Sequence, residues 1–166
     1  MTLRGDPQAR AEFAALVCEL RAARSSRSDL PQRLLAARLD VAPGSLVDWE
    51  LGRDVPTMVH LIRWARELNL ILQIAQQGQE PVRDQQPQPR TREGWEMREL
   101  RRLVLALHAA RVAEKRSQAD IAAALGVNRW SISQWESGNG NPRPVGLLAW
   151  ARALSRVVRL VSTEPG

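Results

Sequence analysis

The sequence contains one unit written twice, and this constrains the fold more than any other feature. Leu16–Arg24 (LVCELRAAR) matches Leu103–Arg111 (LVLALHAAR) at an offset of 87 residues. Past the next loop the offset is 86. Gln32–Val41 then matches Gln118–Val127, Ser45–Gly52 matches Ser131–Gly138, and Leu61–Leu68 matches Leu147–Leu154. Trp49 therefore corresponds to Trp135, and Trp64 to Trp150. The one-residue slip falls in a connecting loop, where an insertion costs little. Repetition of this kind predicts two homologous modules of about 70 residues each. Their expected bounds are 1–78 and 94–166, joined by a linker at 79–93.

Each module reads as four helices. In the second, Leu100, Leu103, Val104, Leu107 and Ala110 recur at helical spacing. Ser117 and Asn128 stand where N-caps of the next two helices belong. Gly138, Gly140, Pro142 and Pro144 break the chain before a fourth helix from about Val145 to Leu154. The first module gives helices near Pro7–Arg24, Pro31–Leu39, Pro43–Leu51 and Thr57–Leu68. Each module ends in a short apolar tail, Asn69–Gln76 and Ser155–Ser162, readable as a helical turn or a strand. Val157, Val158 and Val161 lean the second toward strand. Two unpaired apolar tails would be exposed liabilities, so we expect them to pair as an antiparallel ribbon. The Gln- and Pro-rich run between the modules, from Gln76 to Glu93, has no apolar period. As flexible chain it spans roughly 20–25 Å, and at most roughly 55 Å.

Composition agrees with an all-α fold. The apolar content is Ala-, Leu- and Val-rich, with one Phe and no Tyr. No apolar run approaches a membrane span, and MTLRGDPQAR lacks the apolar core of a signal peptide. The expected location is cytoplasmic, associated with the nucleoid. The single cysteine, Cys18, allows no internal disulfide and is expected as a buried structural thiol. His60 and His108 lie far apart in sequence, so no metal or other cofactor is expected. The net charge of +6 is uneven: residues 1–80 are neutral, while 94–166 hold eleven Lys/Arg against six acids. Basicity confined to one module points toward nucleic acid.

The stretch Ser117–Gly138 gives that charge a form. Ile121, Leu125, Val127, Ile132 and Trp135 mark a buried side of two short helices, and Gly126 sits where the chain reverses. Asn128, Arg129, Trp130, Ser133 and Gln134 stand on the outer side of the second helix. A braced helix carrying amides and a guanidinium suits entry into a DNA major groove.

Gln118, Ile121, Ala122, Leu125, Gly126, Val127, Ile132, Glu136, Gly138 and Pro142 together resemble the pattern of the Cro/cI-type, or xenobiotic-response-element-like, helix-turn-helix family. The resemblance covers both repeats. It implies two tandem lambda-repressor-like domains of four or five helices, which bind double-stranded DNA and are usually dimeric. By position it makes Arg129, Trp130, Ser133 and Gln134 base-facing. It puts Gln118, Asn128, Asn141 and Arg143 at the DNA backbone, and Lys115 and Arg116 would add phosphate contacts. Trp130 departs from the usual polar residue, and is either a thymine-methyl contact or a core or interface residue. Glu136 is expected to pair with an arginine of the fold, Arg111 or Arg152.

The first repeat keeps the frame without this surface. Pro43, Gly44, Val47 and Asp48 stand where Arg129, Trp130, Ser133 and Gln134 stand, and Asp40 replaces Gly126. Only Gln32, Arg27, Arg33 and Arg38 remain as weak backbone contacts. No catalytic constellation is visible, so an enzyme is not expected. The primary reading is a sequence-specific DNA-binding transcriptional regulator, a repressor. The alternatives are an antitoxin-like or adaptor protein that binds a partner through repeat 1 with autoregulatory DNA binding, and a DNA-architectural or mobile-element accessory protein. With a single reading helix per chain, a palindromic operator would need two chains, a homodimer, while a single chain would suit one half-site plus weak flanking contacts.

Overall fold

The computed structural model describes residues 6–81 and 86–163. Residues 1–5, 82–85 and 164–166 lie outside them, as do the parts of the expected first module, linker and second module that fall there.

Each repeat begins with a 19-residue helix, α1 at Pro7–Ser25 and α5 at Trp95–Ala113. Repeat 1 continues with α2 (Gln32–Arg38), α3 (Pro43–Glu50), α4 (Met58–Glu67) and strand β1 (Leu70–Gln76). Repeat 2 continues with α6 (Gln118–Leu125), α7 (Arg129–Ser137), α8 (Pro144–Ala153) and β2 (Arg156–Ser162). Local chemistry sets these starts. Asp6 accepts from the amides of Gln8 and Ala9, and Thr57 from that of His60. Ser117 and Asp120 form a reciprocal capping box on α6. Gly126 ends α6 at φ +71°, and Asp40 takes the matching left-handed backbone at φ +56°. Repeat 1 therefore retains the turn, in a conformation Asp adopts less readily than Gly.

The tails are strands, and they pair. β1 runs antiparallel to β2 from Leu70 opposite Ser162 to Gln76 opposite Arg156. Gln73 lies opposite Arg159, its own equivalent at the 86-residue offset, so a pseudo-twofold axis passes through this pair. The ribbon buries Leu72, Ile74 and Val158 in a cluster continuous with both repeats. Around the axis the opening helices are exchanged: α1 packs on α8 and α5 on α4. Cross-repeat ion pairs follow the same exchange, Arg152–Glu12 at 2.9 Å and Arg63–Glu96 at 2.8 Å. The Arg66 guanidinium lies 5.3 Å from the centre of the Trp95 ring.

Two expectations are corrected. Cys18 is exposed, not buried. Phe13, Leu16, Val17 and Leu20 form the inward stripe of α1, and Cys18, about 100° beyond Val17, faces out. The linker is also not free along its described end. Arg101 holds Glu93 at 2.8 Å and donates to the Gln88 carbonyl at 2.5 Å, fastening residues 88–93 to α5. Among the described residues, no helix is long and apolar enough to cross a membrane.

Candidate nucleic-acid interface

Helix α7 is held from behind and open in front. Its inner row packs inward: Ile132 is fully buried, and Trp135 lies against the core with its ring centre 5.8 Å from that of Trp150. Leu125 and Val127, expected in the core, are partly buried and packed against it. Glu136 anchors the helix to α5. It accepts from Arg111 Nη2 at 2.8 Å, bonds His108 Nδ1 at 2.6 Å, and receives Gln118 Nε2 at 3.5 Å. Burial opposes ionisation of Glu136, but the bonds from Arg111 and then His108 outweigh it and keep its carboxyl below the ordinary glutamate value. Of its two expected partners, Arg111 is the one used; Arg152 instead crosses to Glu12.

The outer row consists of two i, i+4 pairs, Arg129 with Ser133 and Trp130 with Gln134. Arg129 is exposed and Trp130 is 68% exposed, which removes Trp130 from the core. Ser133 and Gln134 are half-buried on the same side. Asn128 caps α7, its Oδ1 accepting from the Ser131 amide at 2.9 Å and the Ser131 hydroxyl at 3.1 Å. Its amide nitrogen makes no hydrogen bond among the described residues. The loop beyond α7 folds back, with the amides of Asn139 and Gly140 both bonded to the Gln134 carbonyl. A Cβ on Gly140 would come within 3.3 Å of Gln134 Cβ, a closeness the sequence did not reveal.

The expected backbone-facing residues divide. Lys115 and Asn141 are exposed. Arg143 is exposed but reaches repeat 1, where its Nη2 donates to the Val55 carbonyl at 3.3 Å. Arg116 is turned inward, and its Nη1 donates to the Ala153 carbonyl at the end of α8. Gln118 reaches toward Glu136, so both it and Arg116 meet a ligand only with their remaining donors. Their shared cause is the need to satisfy polar groups where α5, α6 and α8 converge.

Repeat 1 preserves the anchor and lacks the row in front of it. Arg24 and Gln32 hold Glu50 at 2.5 and 3.0 Å, the counterparts of Arg111, Gln118 and Glu136. Arg27 is bonded to Asp29 at 3.0 Å and to the Glu67 carbonyl at 3.1 Å, and Arg38 lies 3.6 Å from Glu67. Of the four residues expected to make weak contacts, only Arg33 is exposed without a hydrogen bond or ion pair among the described residues. Arg53 was not anticipated. Its side chain is 69% exposed just past α3, with Asp48 3.8 Å away.

A search of the curated proteins and one of the solved structures return no match. The family model described as Helix-turn-helix matches the chain twice, at residues 20–71 and 107–156. Those segments contain α2–α3 and α6–α7, the two helix pairs described above. The chain thus belongs to the Cro/cI-type helix-turn-helix family, as a tandem repeat of a domain found in DNA-binding regulators.

Proposed function

We propose that the protein is a sequence-specific, double-stranded-DNA-binding transcriptional repressor that reads the major groove with α7. The observation that carries this is the contrast between the two sides of α7: Ile132, Trp135 and Glu136 are fixed against the fold, while Arg129 and Trp130 face solvent. Preorganised donors on a rigid helix suit base edges. Arg129 pairs with guanine, Gln134 with adenine, Ser133 with either, and Trp130 with a thymine methyl. Asn128, Lys115, Asn141 and Arg143, with the remaining donors of Gln118 and Arg116, hold phosphates. The units are 1–78 and 94–166 joined by 79–93, acting in the cytoplasm on the nucleoid. Repression follows from occupancy, since a filled groove excludes other proteins.

The test is selection of bound duplexes from a random library, with a salt titration. Arg129→Ala and Gln134→Ala should each cost about 1–3 kcal/mol and relax one base pair. Binding indifferent to salt and to both changes would reject the reading.

One observation favours a second reading, the antitoxin-like or adaptor protein. Repeat 1 exposes Leu34 (39%) and Leu51 (48%) beside a reading face without a cation. Loss of a co-expressed partner on Leu51→Asp, with DNA affinity intact, would identify that role.

A further inference from the structure

We propose that one chain fills a complete two-half-site operator by itself, and that base information lies in only one half of that operator. This rests on α7 reading the groove, and it replaces the homodimer expected on a palindrome. The pseudo-twofold axis through Gln73 and Arg159 relates the two helix-turn-helix units as a dyad relates the subunits of a dimeric reader. The loops following α3 and α7 meet near that axis, where Arg143 donates to the Val55 carbonyl. In the repeat frame Val55 is equivalent to Asn141 and Arg143 to Thr57, so the contact joins nearly equivalent points. The loops that follow α3 and α7 therefore approach each other across the axis, and for one chain to fill the operator both units must open on one face. The ribbon and the exchanged opening helices that create this arrangement are satisfied within the chain. In an ordinary dimer such surfaces would recruit a second copy.

The two reading faces are chemically unequal. Opposite Arg129, Trp130, Ser133 and Gln134, repeat 1 offers Pro43, Gly44, Val47 and Asp48. Pro43, Gly44 and Val47 carry no side-chain donor, and Asp48 is an acceptor repelled by flanking phosphates. Base readout from this half is therefore absent. Phosphate contact remains available through Arg33 and Arg53, both exposed. Repeat 1 then fixes register and spacing on a second half-site whose sequence matters only through duplex shape.

The experiment uses the full chain. Duplexes are selected from a random library, and the best one is titrated in sedimentation and footprinted. The expected result is one chain per duplex, base preference confined to one half-site, and protection continuing about one helical turn, 10 bp, beyond it. Arg33→Ala combined with Arg53→Ala should weaken binding without changing the selected sequence, and reduce the log–log salt slope by about 2. A palindromic selected sequence carrying two chains overturns the inference while leaving base reading by α7 intact. So does protection limited to one half-site with an unchanged salt slope in the double variant. Failure to enrich any sequence overturns base reading itself, and the inference with it.

Discussion

Gln73 stands directly across the ribbon from Arg159, its counterpart in the other repeat, yet Gln73 is buried and Arg159 exposed. The cause is Arg102. It packs with Glu99 at 2.9 Å and donates to the Leu72 carbonyl at 2.5 Å and Gln73 Oε1 at 3.4 Å. Its counterpart in repeat 1 is Ala15, so nothing comparable covers Arg159. Arg102→Ala would leave the buried Glu99 carboxylate without its ion-pair partner, with Gln86 Nε2 as its remaining donor, and should cost about 3 kcal/mol in urea unfolding. Arg159→Ala, at the exposed equivalent of Gln73, should fall within about 0.5 kcal/mol of wild type. Equal effects would mean the burial difference across the axis is energetically empty.

The core is continuous across the axis, so the repeats should unfold together. Leu72 on the ribbon is 3% exposed and shares that cluster with Trp64 of repeat 1 and Trp150 of repeat 2. Leu72→Ala should lower stability by about 3 kcal/mol. The transition should stay single, with fluorescence and far-UV circular dichroism giving one coincident midpoint within each protein, the Trp64→Phe and Trp150→Phe variants included. Two separated transitions would show that the repeats are energetically independent.

Glu136 links stability to pH. Its carboxyl is held below the ordinary value of 4.5 in the fold. A depressed folded value contributes stability above the unfolded pKa, and that contribution is lost as pH falls through the folded value. Glu136→Gln should therefore flatten the acid limb of the stability profile below about pH 4.5. Asp120 adds to the same limb, because the Ser117 amide and hydroxyl lower its pKa in the capping box. An unaltered limb in Glu136→Gln would exclude the anchor as its source.

The frame of this fold was legible because it is repetitive and local. Helix starts at Ser117 and Asn128, the turn at Gly126 and the buried Trp64 and Trp150 follow from capping chemistry and apolar spacing. The β character of the tails was readable in Val157, Val158 and Val161, and their pairing followed from the need to cover them. The exchange of α1 and α5 between repeats was not readable, because it decides which of two equivalent apolar faces each helix meets. The same applies to charged side chains. Arg116 and Arg33 look alike in sequence, but only tertiary packing turns the first onto the Ala153 carbonyl and leaves the second in solvent. Cys18 shows the converse, since an apolar neighbourhood in sequence spans both faces of a helix.

Trp130 offers the sharpest test of the reading face. At 68% exposure it contributes little to the core, so Trp130→Ala should alter stability by no more than about 0.5 kcal/mol. If its ring rests on a thymine methyl, Trp130→Ala should weaken binding to the selected duplex and lose preference at one A·T pair. Replacing that thymine by deoxyuridine removes only the methyl. Wild type should then lose affinity by a similar factor, and Trp130→Ala should lose none, because the two changes delete the same contact. If wild type is indifferent to deoxyuridine at every position, while Trp130→Ala changes the sedimentation of the free protein, the ring belongs to a protein interface.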